Sequence, residues 1–444
     1  MASTATIYAP ATGAGAAAIA VVRLSGVDAG AALDALTGGR RPPARRASLR
    51  RLRDPAGGEV LDSALVLWLP GPGSETGEDM AELHLHGGRA VLAGVLEALA
   101  RLPGLRLAEP GEFVRRAFEN GRLDLTAAEA VGDLVAAETA AQRRQALAQL
   151  DGALAGLYDG WRTRLLRLLA HLEADIDFPD EDLPPEAGVA ARASIAGLAD
   201  DIAAHLADGH RGERLRDGVR IAVVGAPNVG KSSLLNRLAR REAAIVAATA
   251  GTTRDVVEVT LDLGGVKAIV ADTAGLRAAV DPVEVEGVRR ARAAAATADL
   301  RLAVFDGGRW PVLDAATVEL VDETTVPVIN KADLGVPLRA EIGGRAVAMV
   351  SALTGDGVAA LEARLVAEVA ARFATRESPA LTRARHRTAL EEAEGALRRA
   401  VAGTVSELVA EDVRMAARAL GRITGRVDVE ELLDVIFRDF CIGK

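Results

Sequence analysis

The chain has 444 residues, with 53 Lys plus Arg against 62 Asp plus Glu and a formal net charge of −9. That length carries two to four domains with real cores, and the acidic balance excludes a blanket polyanion binder, so any nucleic-acid contact must be a local patch. A single cysteine, Cys441, excludes an internal disulfide and fits a reducing compartment.

Residues 1–120 alternate short β-like runs (Ala18 to Leu24, Ser63 to Leu69, Met80 to His86) with Gly/Pro turns and a helical stretch from Ala90 to Leu102. This is an α+β pattern. Ala14 to Val22 is apolar but short and lacks a basic leader. No charge-free run approaches the roughly 20 residues of a membrane helix. A cytoplasmic protein without membrane contact is expected. Residues 40–53 form a candidate basic patch, but in a chain that uses arginine throughout they read as a solvated connector. Glu82, His84 and His86 alternate on a predicted strand and share one face. Such groups can ligate zinc, yet no further ligands cluster with them, so a polar face beside a ligand pocket is the reading kept.

From Leu123 to Leu169, Ala, Leu and charged residues recur at helical spacing with few breakers, the pattern of a bundle core. Phe178-Pro179-Asp180-Glu181-Asp182 ends that run, and Gly188 to Leu215 is helical again. Strand and helix then alternate to about Ala370, a doubly wound pattern, and helical character returns after Pro379. The expected division is 1–120, 121–215, 216–370 and 371–444, with a doubly wound α/β domain inserted in an all-α helical domain.

Within that α/β segment, Gly225-Ala226-Pro227-Asn228-Val229-Gly230-Lys231-Ser232-Ser233 follows the apolar run Val219 to Val224 and precedes a helical pattern. Glycines let backbone N–H groups close around phosphate, Lys231 reaches the terminal phosphates, and Ser232 offers its hydroxyl to magnesium. Asp272-Thr273-Ala274-Gly275 ends a further strand, where Asp272 suits the outer magnesium shell and Gly275 a hinge near the γ-phosphate. The loop Gly251-Thr252-Thr253-Arg254-Asp255 lets Thr253 close over magnesium. Asn330-Lys331-Ala332-Asp333 ends the run Val326 to Ile329. The Asp333 carboxylate can accept two N–H bonds from guanine, which adenine cannot supply, and charge-assisted bonds of about 1.5–3 kcal/mol each discriminate strongly. Ser351, Ala352 and Leu353 supply backbone support for the base. Only four of the cationic residues are lysines: Lys231, Lys267, Lys331 and Lys444. Two stand in nucleotide motifs, where a compact ammonium is not replaced by a planar guanidinium. That makes Lys444 a candidate functional group.

With these parts in order, the chain resembles the MnmE (TrmE) family of tRNA-modification GTPases nearly end to end. The marks are Thr6-Ile7, Arg23-Leu24-Ser25-Gly26, Thr76-Gly77-Glu78-Asp79, His86-Gly87-Gly88, Arg116-Ala117-Phe118, Asp177 to Glu181, Ala250 to Asp255 and Cys441-Ile442-Gly443-Lys444. The resemblance implies an N-terminal folate-binding domain that also dimerises, a helical domain and an inserted GTPase domain. It further implies joint action with an FAD-dependent MnmG (GidA)-type partner, as a heterotetramer, on the wobble uridine of certain tRNAs. A (carboxymethyl)aminomethyl group would be installed at carbon 5. The folate pocket would take 5-formyltetrahydrofolate or a related reduced folate on Arg23, Glu82, Arg122 and Lys444. Arg122 stands where the family commonly has lysine, which keeps the charge and changes the donor geometry.

Leu276 occupies the position after D-x-x-G where regulatory GTPases often hold a water-orienting Gln. The family pattern would fill that gap with Glu284 as catalytic carboxylate and Arg254 beside it. Asn228, Ala247, Thr249 and Thr252 would hold potassium, offsetting charge between the β- and γ-phosphates. Ala247 stands where the family often has threonine. The segment Ala247, Ala248, Thr249, Ala250, Gly251, Thr252 and Thr253 thereby joins the GTP site. Phe437 and Phe440 would anchor an ordered C-terminus beside the folate, with Cys441 as a reactive or packing thiol. The competing expectation is a GTP-dependent ribosome-assembly or signalling switch without modification chemistry, disfavoured because such factors usually append a basic domain.

Overall fold

In the computed structural model the described residues are 5–177, 185–208, 210–240, 258–272, 296–335, 341–373, 379–427, 430–438 and 440–443. They form two compact units. One comprises Met1–Val135, Gln149–Ile195 and Gly395–Lys444, the other Ala136–Ala148 and Ala196–Glu394.

The first unit holds a sheet of β1 (Thr6–Pro10), β2 (Ile19–Ser25), β3 (Ser48–Arg53), β4 (Val60–Leu69), β5 (Met80–His86) and β6 (Leu105–Leu107). Their order is β3-β4-β5-β2-β1-β6, antiparallel throughout except for β1 beside β6. Side chains alternate across the pleat. Val22, Leu24, Ala81 and Leu83 face one way, into a core with Leu33 and Leu36 of α1 (Ala29–Thr37) and Val95 and Leu99 of α2 (Arg89–Ala100). Ile7, Ala9 and Met80 face the other way, against Phe113 of α3 (Glu112–Glu119). Arg23 and Glu82 share that second face by alternation.

The stripe from Leu123 to Leu169 is not one continuous element. It divides into α4 (Leu125–Ala136), α5 (Ala140–Leu150) and α6 (Ala153–Asp177). Gln142 Oε1 accepts from the Glu138 and Thr139 N–H groups at 2.9 and 3.0 Å, a capping arrangement that starts α5 afresh. Gly152, at φ 88°, turns the chain before α6. Likewise Gly188 to Leu215 divides into α7 (Pro185–Leu206) and α8 (Arg211–Asp217). In the first unit α6 packs along the helix Ser406–Thr424, with Arg414 Nη2 2.6 Å from Glu173 and Arg426 Nη2 3.0 Å from Asp159. These helices flank in sequence the segment Ala196–Glu394 that carries the α/β sheet, so the α/β fold is an insertion in a helical one.

The second unit has strands β7 (Val219–Val224), β8 (Glu258–Leu263), β9 (Val266–Asp272), β10 (Leu300–Asp306), β11 (Thr325–Asn330) and the short β12 (Glu341–Ile342), β13 (Arg345–Ala346) and β14 (Ala348–Met349). Its main sheet runs β14-β11-β10-β7-β9-β8. Neighbours are parallel up to β9, and β8 is an antiparallel edge. Both faces are buried, which is why the central strands read as continuous apolar runs rather than alternating ones. Val219, Ile221 and Val223 join α9 (Lys231–Ala239) and the helix Val358–Phe373 on one side; Val224, Phe305 and Ile329 face the other. The carboxyl ends of β7, β9, β10 and β11 therefore meet along one edge, where a doubly wound sheet binds its ligand.

Candidate functional site

The phosphate loop lies at the end of β7 and is closed by α9. Leu234, Leu235 and Leu238 are buried and hold that helix on the sheet. Its first residue, Lys231, is 6% exposed, and its Nζ donates to the Gly225 and Ala226 carbonyls at 2.7 and 2.9 Å. A buried ammonium demands such partners, and these carbonyls hold it across the mouth of the loop. Ser232 and Ser233 are exposed in the first helical turn, and Asn228 is exposed at the loop tip with φ 64°. An ammonium, helix N-terminal amides and a serine hydroxyl on one side make the donor set that triphosphate and magnesium require.

The base-binding end is tied to the phosphate end by one side chain. Asn330 Nδ2 donates to the Val229 carbonyl at 2.9 Å, and Asn330 Oδ1 accepts from the Ala352 N–H at 2.9 Å. Gly230, at φ 91°, lies so close that a Cβ there would be 2.2 Å from Asn330 Nδ2. The glycine is fixed by this clasp as well as by phosphate approach. Lys331 adopts a left-handed backbone, φ 63°, and its Nζ lies 2.7 Å from Asp306 Oδ2 at the end of β10. Burial works to raise the Asp306 carboxyl; hydrogen bonds from Lys331 and the Gly308 N–H outweigh it and leave the group below its ordinary value. Ala332 N–H donates to the Val350 carbonyl at 3.0 Å, which aligns the turn carrying the exposed Asp333. Ser351 is buried and its Oγ accepts from the Thr354 N–H at 3.2 Å, while the Leu353 side chain is exposed. Asp272 ends β9 with its backbone opposite Val223, next to the phosphate loop. Ala247 to Thr253, Arg254, Thr273, Ala274, Gly275 and Glu284 lie outside the described residues.

In the first unit Arg23 and Glu82 are direct cross-strand neighbours on β2 and β5, with Nε and Oε1 3.3 Å apart. Arg23 also pairs with Glu75, and its guanidinium lies 5.6 Å from the Phe113 ring centroid. Burial pulls Arg23 below its ordinary value, and Glu82 offsets part of that. The other Glu82 oxygen is 3.2 Å from His84 Nε2. His86 turns instead to Asp62, 2.7 Å away, so the two histidines do not share ligands, and among the described residues no His/Cys/Asp/Glu group suits a metal. Arg122 is exposed, its stem lying beside Gly77: a Cβ on Gly77 would be 3.3 Å from Arg122 Cγ. The loop Glu75–Asp79 thus links Arg122 with the Arg23–Glu82 pair.

That loop has its own support, which sequence reasoning missed. Buried Arg116 binds Glu78 at 3.0 Å and Glu112 at 3.0 Å, and Arg106 adds bonds of 2.8 and 2.5 Å to Glu112. Ser25 Oγ donates to Glu78 Oε2 at 2.7 Å and is 2.7 Å from Thr76 Oγ1. Several marks of the first 120 residues, Ser25, Thr76, Glu78 and Arg116, are therefore scaffold. Glu75 had no signal beyond standing before Thr76.

The C-terminal segment returns to the same place. Leu433 and Phe437 pack with Val114, Leu125 and Ala128. Phe437 and Phe440 rings lie 5.6 Å apart, tilted by 52°. Ile442 bridges Pro110, and Gly443, at φ 93°, sits where a Cβ would be 2.2 Å from the Pro10 carbonyl oxygen. Pro10 follows Ala9, the strand partner of Arg23. Cys441 is a free thiol and exposed. Lys444 lies outside the described residues.

Comparison with known proteins places both ends of the chain in one family. Residues 6–122 match the family model of the GTP-binding protein TrmE N-terminus, and residues 125–441 match that of the MnmE helical domain. The tRNA modification GTPase MnmE of Rhodospirillum rubrum is 62% identical, with 99% of each chain covered. That of Paramagnetospirillum magneticum is 61% identical over 99% of each chain, and that of Parvibaculum lavamentivorans 57% over 99% of this chain and 100% of its own. Among solved structures, the G domain of the T. maritima FeoB iron transporter covers 34% of this chain and 98% of its own, at 23% identity and a TM-score of 0.24.

Proposed function

The chain belongs to the MnmE family of tRNA modification GTPases, a GTP hydrolase using magnesium, and from that premise we propose a potassium-activated GTPase cycle that gates modification of a wobble uridine. The product is the (carboxymethyl)aminomethyl group at carbon 5, formed in the cytoplasm as a heterotetramer of a homodimer with an FAD-dependent MnmG (GidA)-type partner. In this reading Lys231 holds the terminal phosphates, Ser232 and Thr253 hold magnesium, and Asp333 selects guanine. Glu284 orients the attacking water with Arg254 nearby, filling the role left vacant by Leu276. Asn228, Ala247, Thr249 and Thr252 would hold potassium, which supplies positive charge between the β- and γ-phosphates.

A reduced folate carries carboxylates and a pterin that needs paired donors and acceptors. Arg23 and Arg122 suit the former, Glu82 the latter, and Lys444 would complete the set. In this reading the chain divides at 120, 215 and 370 into a folate-binding domain, a first helical part, the GTPase domain and a second helical part. The observation that carries the reading is the packing of Gly443 on Pro10, one residue from the strand partner of Arg23. It brings the last residues of the chain to a charged pair near its start, an arrangement a nucleotide switch alone does not need. GTP hydrolysis should be at least about 10-fold faster in potassium than in sodium, as for a cation acting on transition-state charge. Equal rates in the two salts, with dimer formation verified, would remove the potassium site.

A further inference from the structure

Seven arginines stand between Arg40 and Arg53 without one acid among them, in a chain of net charge −9. Residues 48–53 are no connector. They form β3, the outermost strand of the first sheet, paired to β4 alone. Leu52 is fully buried and pins the strand, and alternation leaves Arg51 and Arg53 exposed on the opposite face. Arg41 is spent on structure, with bonds of 3.1 and 2.5 Å to Asp34 and its guanidinium 4.7 Å from the Trp68 ring centroid. Arg50 and Arg53 donate to backbone carbonyls, of Arg40 at 3.2 Å and Gly58 at 2.9 Å, which satisfies donors without cancelling charge.

The guanidinium groups of Arg40, Arg46 and Arg51 are exposed and have no hydrogen bond or ion pair among the described residues. Nearby acids are committed elsewhere: Asp54 to Arg101 at 2.9 Å and Asp62 to His86 at 2.7 Å, leaving Glu59 as the turn's exposed acid. Charge on an edge strand also blocks pairing with a second sheet. That accounts for Arg51, on the strand, but not for Arg40 and Arg46, which precede it.

We propose that this arginine edge docks the phosphate backbone of tRNA. The proposal rests on tRNA being the substrate and adds where the protein grips it. Arginine forks match phosphate oxygens bidentately, and contacts of this kind position an RNA without reading its sequence. A compensated acidic surface elsewhere would keep the contact local.

The test is fluorescence anisotropy with unfractionated tRNA on the full chain, wild type against Arg40→Glu/Arg46→Glu/Arg51→Glu, between about 50 and 200 mM potassium chloride. Loss of three phosphate contacts should weaken binding at least about 100-fold near 0.1 M salt and reduce the slope of log K against log salt by about 2–3. The corresponding triple lysine variant should keep most of the affinity, because a point charge still neutralises phosphate. Melting temperature and GTP hydrolysis serve as folding controls and should not move, since none of the three touches the nucleotide site. Unchanged affinity and slope in the glutamate variant, or no tRNA binding by the wild-type chain, would overturn the proposal. Wobble-uridine content of cells lacking the protein, with and without the wild-type chain restored, tests the modification reading separately.

Discussion

The two sites are built in opposite ways. The nucleotide site is assembled from short contiguous motifs whose members hold one another: Lys231 on the carbonyls of Gly225 and Ala226, and Asn330 on Val229 and Ala352. The Arg23–Glu82 site is assembled from strands β1, β2 and β5, the loop Glu75–Asp79, the end of α3 and the last residues of the chain. The first is set by motifs that are each local, joined by one long-range clasp from Asn330 to Val229. The second depends on tertiary packing across the length of the sequence, so a distant change can empty it.

Lys231→Ala is the sharpest way to break the local site. Removing a charge aimed at the transferring phosphate should lower GTP turnover by about 100- to 1,000-fold, read as kcat/KM, with little change in melting temperature. A smaller loss would mean that backbone amides alone carry phosphate recognition.

Asn330→Ala should do less, and in a diagnostic way. It leaves the Val229 carbonyl and the Ala352 N–H without their side-chain partner, at about 1–3 kcal/mol for each buried group. Guanine nucleotide affinity should fall roughly 10- to 100-fold, measured by titration with a fluorescent GDP. Loss confined to stability, with affinity retained, would make the clasp a scaffold only.

The smallest effect distinguishes the units by pH. Burial, with the charges of Arg387, His386 and Arg211, lowers His205 in the second unit from 6.5 to about 4. Because the folded value lies below the unfolded one, this group's contribution is present above pH 6.5 and is lost as pH falls toward 4. The loss is at most about 3 kcal/mol. In the first unit, Asp62 and Glu112 are held below their ordinary carboxylate values against burial, Asp62 by hydrogen bonds with His86 and Ser63, and Glu112 by Arg106, the Glu109 N–H and Arg116. Their contributions are retained above about pH 4.5 and lost only on further acidification. Scanning calorimetry between pH 6.5 and 4.5 should therefore lower the second unit's transition first, and His205→Gln should blunt the shift.

This contrast also decides what could be read from the residues alone. The strands Met80 to His86 and Val219 to Val224 are recovered as expected, because each is an alternating or continuous apolar run with clear turns. β1 and β6 escape notice: TIYAP ends in proline, and LRL is three residues long. β3 hides because its outward face is arginine, which reads as a charge run. The nucleotide motifs are legible because their spacing is local. The Arg116–Glu78–Glu112 network is not, since buried ion pairs between residues far apart in sequence leave no periodicity. The capping by Gln142 that divides the long helical stripe is visible as T-x-x-Q in Thr139-Ala140-Ala141-Gln142 but competes with strong flanking helix formers.

In the proposed function the end of the chain completes the first unit's site, while the nucleotide site stands without it. The direct measurement removes Cys441 to Lys444 and compares GTP hydrolysis of the purified protein with modified wobble uridine in tRNA from cells that carry it as their sole copy. Hydrolysis within about twofold of wild type, a change of only some 0.4 kcal/mol in barrier, together with loss of the modification, is the expected result. Normal tRNA modification by the truncated chain would contradict it.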